Sequence, residues 1–129
     1  MKEEITTDSN ILIDSSIWLT YFLEGSYQQI IESEKTIFIS SLSVFEIKKK
    51  MLDKEIPEHE IKEKIGFIKE RAIVMDVNNG VSEKAADISH EKNIPAIDSL
   101  IYATAMINNL MLITKDNDFR HLSNVQILD

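Results

Sequence analysis

The sequence contains no cysteine, and it has only three glycines and two prolines among its 129 residues. Without cysteine the chain can form no disulfide, no thiolate zinc site and no cysteine nucleophile, which suits a reducing compartment. Because glycine and proline are scarce and no repeat or low-complexity segment occurs, no stretch has the composition of an interdomain linker. We therefore expect a single domain over residues 1–129, located in the cytoplasm.

The chain also lacks a long apolar run and is poor in basic residues. Its apolar stretch at residues 17–23 is too short and too interrupted for a signal peptide or a membrane span, so we expect no membrane association. Fourteen Lys and Arg residues stand against 22 Asp and Glu residues, a formal net charge of −8. This balance disfavours a general RNA-coating protein. It is compatible with an enzyme whose carboxylates hold divalent cations, because the ions supply the local positive field.

Short β-branched runs alternate with helical patterns along the chain. Four such runs, at residues 11–13, 36–39, 72–75 and 111–114, predict strands that are buried on both faces. Strands that alternate with helices indicate a parallel sheet covered on both sides. We expect an α/β fold, a three-layer α/β/α sandwich with a mainly parallel central sheet, and ligands at the carboxyl ends of its strands.

The clearest helical pattern covers residues 58–71. Pro57 fits the first helical position, acidic residues fill the first turn and basic residues the last. The apolar stripes of this helix and the next are formed by Ile61, Ile65 and Ile68, and by Val81, Ala85 and Ile88. Residues 96–108 predict a further helix that is apolar on most sides and therefore central.

Acidic residues stand where this architecture brings side chains to one edge of the sheet. Asp14 ends the first strand, Glu46 follows the second strand within about one helical turn, and Asp98 opens the central helix. Asp116 and Asp118 follow the strand at residues 111–114. Mg²⁺ and Mn²⁺ prefer oxygen ligands, and crowded carboxylates repel one another unless a cation is present. The coincidence of independent acids at one edge therefore predicts a metal site.

Each acid also has a purely structural explanation. Asp14 could cap the following helix, and Asp98 in a first turn is favoured by the helix dipole. The pair after the strand at residues 111–114 could shape a turn. Glu46 lies away from the apolar stripe of its helix, so periodicity alone favours pairing with Lys50 on a solvated face.

Four segments that contain these acids resemble the motif blocks of PIN domains, in order and at similar spacing. They are Asp-Ser-Ser at residues 14–16, Ser-Leu-Ser-Val-Phe-Glu at 41–46, Pro-Ala-Ile-Asp-Ser-Leu-Ile-Tyr-Ala-Thr-Ala at 95–105 and Thr-Lys-Asp-Asn-Asp-Phe at 114–119. The resemblance covers nearly the whole chain except the first ten residues, which extend beyond the family's usual start. The compact length is similar to that of VapC-like toxins.

The resemblance implies a metal-dependent endoribonuclease, the toxin of a toxin–antitoxin pair, that uses Mg²⁺ or Mn²⁺. It also implies an antitoxin partner and a homodimer. The implied catalytic metal ligands are Asp14, Glu46, Asp98 and Asp116, with Asp118 as a second candidate for the last place. Ser16 and Thr114 match polar positions that support the site. Among the few basic residues, possible contacts to RNA are Lys48, Lys115 and Arg120.

Other functions stay open at the level of sequence. A housekeeping PIN nuclease that matures ribosomal RNA would carry the same acids, and so would a PIN-like domain that binds partners without cleaving. A receiver-like signalling domain would use Asp76 as phosphoacceptor and Lys115 near the last predicted strand, although Ser15 rather than a second acid follows Asp14. The three histidines show no zinc or triad spacing, so we expect them on the surface.

The first helix carries three aromatic residues, Trp18, Tyr21 and Phe22. Such residues on one helix favour a place in the core or in a dimer interface over a base-stacking platform.

Overall fold

The protein is described by a computed structural model, which covers Ile5, Thr7 and residues 9–129. Most of the first ten residues, whose role the sequence left open, therefore lie outside the described residues. The strands are β1 Ile11–Ile13, β2 Ile37–Ser40, β3 Ala72–Met75, β4 Met111–Thr114 and β5 Val125–Ile127. The helices are α1 Ser15–Glu24, α2 Gln28–Ile31, α3 Ser41–Asp53, α4 Glu58–Arg71, α5 Asn79–Lys92 and α6 Ala96–Ile107, and a 3₁₀ turn covers Asn117–Phe119.

The strands form one sheet in the order β3-β2-β1-β4-β5, and every pairing is parallel. β1 lies at the centre, where Ile11 pairs with Ile37 on one side and with Met111 on the other. The chain therefore returns to both flanks of its first strand, and the carboxyl ends of β1, β2 and β4 share one edge.

Side chains of alternate residues separate the core into two layers, one on each face of the sheet. Ile11, Ile13 and Ile113 join the cluster that is packed by α1, α2, α3 and α4. Leu12 and Leu112 point to the opposite face and join the cluster formed by α5 and α6. Because successive residues of a strand point to opposite faces, this division follows from strand geometry. The predicted three-layer α/β/α architecture is confirmed.

The strand predictions need two corrections. β3 is not buried on both faces: Ile73 and Val74 are 50% and 37% exposed, because β3 is an edge strand with one neighbour. β5 was not predicted at all. It is a half-buried strand of three residues that adds to the opposite edge of the sheet beside β4.

The helix predictions hold, with small shifts at the ends. α4 begins at Glu58, so Pro57 is its N-cap residue rather than its first helical residue. Its stripe buries Ile61 and Ile68, while Ile65 packs half-buried against the same cluster. The predicted stripe of α5 is fully buried. In α6, six residues between Ser99 and Ala105 are buried, as expected for a central helix.

The aromatic residues of α1 pack inside the protein. Trp18 is completely buried, and its ring lies 6.0 Å from that of Phe22 and 6.4 Å from that of Phe67 on α4. Tyr21 stacks on Phe67 with ring centroids 6.0 Å apart. This cluster joins α1 to α4, so the core interpretation is correct for Trp18, and the other two rings are half-buried beside it.

In the part of the chain that the structure describes, no helix combines the length and apolar character needed to cross a membrane.

Candidate active site

The predicted acids meet at the carboxyl edge of the sheet. Asp14 directly follows β1, and Glu46 lies in the second turn of α3, which begins immediately after β2. Asp98 lies in the first turn of α6, and Asp116 follows β4 by two residues. Since β1 is flanked by β2 and β4, the ends of these three strands bring acids from distant parts of the chain together.

Asp14 is the most buried of these acids, with 5% of its surface exposed. It occupies the N-cap position of α1, but its side chain makes no capping hydrogen bond. Instead, Oδ2 accepts hydrogen bonds from Thr114 Oγ1 at 2.7 Å and from Ser16 Oγ at 2.9 Å. The capping explanation therefore does not account for this carboxylate, which is held by two hydroxyl groups.

Thr114 and Ser16 also connect Asp14 to the segment that carries Asp116. Thr114 is completely buried, and its Oγ1 accepts a hydrogen bond from the backbone N–H of Asp116 at 3.0 Å. Ser16 Oγ accepts one from the backbone N–H of Lys115 at 3.1 Å. Each hydroxyl thus donates to Asp14 and accepts from the segment after β4, which fixes the two segments relative to each other.

Glu46 faces the site rather than a solvated helix surface. Its Oε1 accepts a hydrogen bond from Ser15 Oγ at 3.0 Å, and it is half-buried. Across the described residues, the ion pair found on α3 joins Lys49 to Asp53, so the pairing with Lys50 is not formed. Ser15 is a site residue that was not predicted from the sequence. The available signal was its place in the Asp-Ser-Ser triplet directly after β1.

Asp98 lies beside both acids of the segment that follows β4. One carboxylate oxygen from each of Asp98, Asp116 and Asp118 lies within 4.8 Å of the others. Asp116 also shapes the local turn, because its Oδ1 accepts a hydrogen bond from the backbone N–H of Asp118 at 2.8 Å. Both candidates for the last acidic position therefore lie close to Asp98.

Burial and mutual repulsion raise the pKa values of three of these carboxyl groups. Burial raises the pKa of Asp14 even though Thr114 and Ser16 donate to it, and Asp116 adds repulsion. Burial also raises the pKa of Glu46, against the hydrogen bond from Ser15, and repulsion from Asp14 and Asp116 acts in the same direction.

The pKa of Asp98 rises to about 6, first through burial and then through repulsion from the other four acids. Asp14, Glu46, Asp98, Asp116 and Asp118 thus form one electrostatic unit, called the acidic cluster below. Deprotonation of one member makes deprotonation of the next member less favourable. A cation among them would relieve both effects.

The chemistry of the donor set fits a hard divalent cation. The cluster offers carboxylate oxygens and neighbouring hydroxyl groups, the ligand types that Mg²⁺ and Mn²⁺ prefer. The chain offers no thiolate ligand, because it has no cysteine. All three histidines are exposed, as predicted. The residues therefore suit magnesium or manganese better than zinc.

The basic residues proposed for RNA contact occupy different surroundings. Lys115 Nζ donates to Thr20 Oγ1 at 3.2 Å and lies 5.8 Å from the centre of the Tyr27 ring, so its ammonium group is engaged within the protein. Lys48 is exposed on α3 and borders a groove against α4. Arg120 is exposed after the 3₁₀ turn and lines a cavity that Asp118 also lines.

Asp76, the phosphoacceptor of the receiver-like alternative, lies apart from the β1 end of the sheet. It follows the edge strand β3, which β2 separates from β1, and it is exposed.

Comparisons with known proteins agree with the fold. A family model described as "PIN domain" matches residues 11–125. No curated protein matches the sequence. Solved structures of several proteins share the fold with this chain at low sequence identity.

VapBC2 from Rickettsia felis, bound to a DNA fragment from its promoter, is 20% identical, with a TM-score of 0.79 over 93% of this chain and 99% of that chain. A toxin–antitoxin complex from Klebsiella pneumoniae is 19% identical, with a TM-score of 0.77 over 90% of this chain and 95% of that chain. VapC20 from Mycobacterium tuberculosis, described as a sarcin-ricin loop cleaving toxin, is 14% identical, with a TM-score of 0.72 over 88% and 95%.

Proposed function

Because the chain belongs to the PIN-domain family, we propose that it is an endoribonuclease that depends on Mg²⁺ or Mn²⁺ and acts as the toxin of a toxin–antitoxin pair. The observation that carries the proposal is the acidic cluster, in which burial and repulsion raise the pKa values of Asp14, Glu46 and Asp98 together. Such a group of carboxylates is unfavourable by itself and becomes favourable around divalent cations.

The proposed ligands are Asp14, Glu46, Asp98 and Asp116, with Asp118 as a further ligand beside Asp98. When bound, divalent cations lower the pKa of water and stabilise the negative charge that develops on a phosphodiester in its transition state. The chain's own task is to hold the carboxylates in place. Thr114 and Ser16 fix Asp14, and Ser15 orients Glu46 through its hydroxyl group.

Water is the proposed nucleophile. The hydroxyl groups nearest to the acids are those of Ser15, Ser16 and Thr114, and each donates its proton to a carboxylate. A hydroxyl committed in this way positions an acid and is not free to attack phosphorus. In-line attack by water needs no covalent intermediate on the protein, which agrees with this arrangement.

The proposed partners are an RNA substrate and a cognate antitoxin in the cytoplasm. Support for the antitoxin comes from the fold shared with chains of toxin–antitoxin complexes. We also propose a homodimer. Its support is the exposed apolar surface of α3, where Phe45 and Leu52 are 59% and 54% exposed.

The test is cleavage of total RNA by the purified protein with Mg²⁺, with Mn²⁺ and with EDTA, followed by mapping of the new RNA ends. Cleavage that needs a divalent cation, and that is lost in Asp98→Asn, is the expected result. Exposed Asp87 on α5 supplies the matched control, because Asp87→Asn removes the same charge outside the cluster. RNA that stays intact with both metals, or equal activity of the two variants, would refute the proposal.

A further inference from the structure

A cavity of about 320 Å³ opens beside the acidic cluster. One side is formed by the connection between α5 and α6, and the other by the segment that follows the 3₁₀ turn. Asp118 belongs both to the acidic cluster and to the lining of this cavity. Pro95, which also lines it, is the N-cap residue of the helix that carries Asp98. The cavity therefore adjoins the acidic cluster.

Basic side chains converge on this cavity in a chain that is otherwise strongly acidic. Lys92, Arg120 and His121 all line it. Arg120 donates one hydrogen bond, from Nη1 to the carbonyl of Asn117 at 3.0 Å, and its other guanidinium N–H groups have no partner among the described residues. The Lys92 side chain makes neither a hydrogen bond nor an ion pair within that same part of the chain.

Lys92 is the last residue of α5, where the helix dipole favours a cation whatever the function. The dipole does not explain why Arg120 and His121, from a different segment, line the same cavity. The remainder of the lining includes the apolar side chains of Ile94, Pro95 and Leu122. A cavity with cations and an apolar wall suits a nucleotide, which has a charged phosphate and a flat base.

We propose that this cavity is a subsite for the nucleotide that adjoins the scissile phosphodiester. Lys92 and Arg120 contact the phosphate next to the cleaved bond, and Ile94, Pro95 and Leu122 contact the ribose or base. The inference rests on the proposed ribonuclease function, because it assumes that the cleaved bond lies at the acidic cluster. It adds the cavity residues that hold the neighbouring nucleotide of the RNA.

A second basic surface can be compared with this cavity. The groove of about 490 Å³ between α3 and α4 is larger and is lined by Lys48, Lys62 and Lys69. No acid of the cluster lines it, so phosphate bound there would not be continuous with the cleaved bond. Lys62 and Lys69 therefore make a matched control pair for Lys92 and Arg120.

The experiment measures binding of a fluorescein-labelled single-stranded RNA of mixed sequence by anisotropy. Ca²⁺ replaces Mg²⁺, so that a hard cation occupies the acids, and a gel detects any hydrolysis. Relative to wild type, Lys92→Gln with Arg120→Gln should weaken binding on the order of tenfold. The slope of log Kd against log salt should fall by about 0.7, since both side chains contact the same phosphate and each neutralised phosphate on a single strand contributes about 0.7.

Lys62→Gln with Lys69→Gln should leave the Kd for RNA and its salt dependence unchanged. In cleavage assays with Mg²⁺, the cavity variant should raise KM and keep kcat at saturating RNA, because neither residue belongs to the acidic cluster. Arg120 also supports the 3₁₀ turn, so Lys92→Gln alone is included. It removes no hydrogen bond and should weaken binding and lower the salt slope by less than the double change does.

Wild-type affinity and KM in the cavity variants, with RNA still cleaved by wild type, would overturn this inference and leave the proposed function intact. A loss confined to Lys62→Gln with Lys69→Gln would assign the RNA to the α3–α4 groove instead. Failure of wild type to bind or cleave any RNA would overturn both.

Discussion

Replacing Asp98 by asparagine should stabilise the metal-free protein at neutral and alkaline pH. The pKa of Asp98 in the folded protein is about 6, above its ordinary value of 3.8, because burial and four neighbouring acids oppose its charge. The folded state therefore binds more protons than the unfolded state between these pH values. Stability contributed by this residue is highest below pH 4, falls as the pH rises to about 6, and stays low above it.

The magnitude follows from the two pKa values. Their difference corresponds to roughly 3 kcal/mol at 1.36 kcal/mol per pH unit. Asp98 is only half-buried, so solvent screening reduces this to about 1–2 kcal/mol. Asparagine also loses a favourable interaction with the dipole of α6, worth about 0.3–1 kcal/mol. The net expectation for Asp98→Asn is a stabilisation of about 1 kcal/mol, or a rise in Tm of about 4 °C.

The assay is thermal unfolding of wild type and Asp98→Asn in EDTA at pH 8 and pH 4. The variant should melt higher at pH 8, and the difference should become small at pH 4, where the Asp98 carboxyl group of the folded protein is protonated. Millimolar Mg²⁺ should then raise the Tm of wild type more than that of the variant. The exposed control Asp87→Asn should show neither effect. A variant that is no more stable than wild type at pH 8 would refute the reasoning.

Three further predictions concern the other members of the site. Glu46→Gln should keep its hydrogen bond from Ser15 and should not lower the stability of the metal-free protein, because burial and the neighbouring acids oppose the charge of Glu46. Metal-dependent RNA cleavage should fall by orders of magnitude. Lys50→Gln should leave cleavage unchanged, and wild-type cleavage by Glu46→Gln would remove that acid from the mechanism. Thr114→Val removes the 2.7 Å hydrogen bond to the buried carboxylate of Asp14, so chemical denaturation should show that the free energy of unfolding falls by about 2 kcal/mol. The decrease should be smaller at pH 4 than at pH 8, because protonation of Asp14 removes the buried charge. The double change Asp14→Asn with Asp98→Asn should abolish the rise in Tm caused by Mn²⁺, and a retained shift would place the cation elsewhere.

The strands show how far sequence patterns predict this fold. The apolar runs that became β1 and β4 were predicted at their observed bounds, because a short apolar run between polar residues has few other stable uses. β3 has a similar apolar composition, yet it lies at the edge of the sheet. Its exposure depends on the order of strands, which a single run of residues does not encode. β5 has only three residues with a glutamine at its centre, too little for a strand signal.

Glu46 shows why part of the site was harder to predict. Its position off the apolar stripe of α3 indicated a solvent-facing residue. The first turns of this helix begin at the carboxyl edge of the sheet, however, so a residue off the stripe faces Ser15 and not bulk water. Helical periodicity reports which residues face the core. It does not distinguish solvent from the rim of a site, and the same ambiguity concealed the role of Ser15 itself.

The hydrogen bond between Thr114 and Asp14 joins residues that are 100 positions apart in the chain. β1 acquires its β4 neighbour only after about 100 further residues have been synthesised, since Ile13 pairs with Ile113. At translation rates of about 5–20 residues per second, roughly 5–20 s separate synthesis of the two partners. A nascent chain that ends before β4 carries Asp14, Glu46 and Asp98 but lacks the Thr114 hydroxyl group and the two acids that follow β4. The proposed ribonuclease site would therefore be completed only after β4 and the acids that follow it have been synthesised.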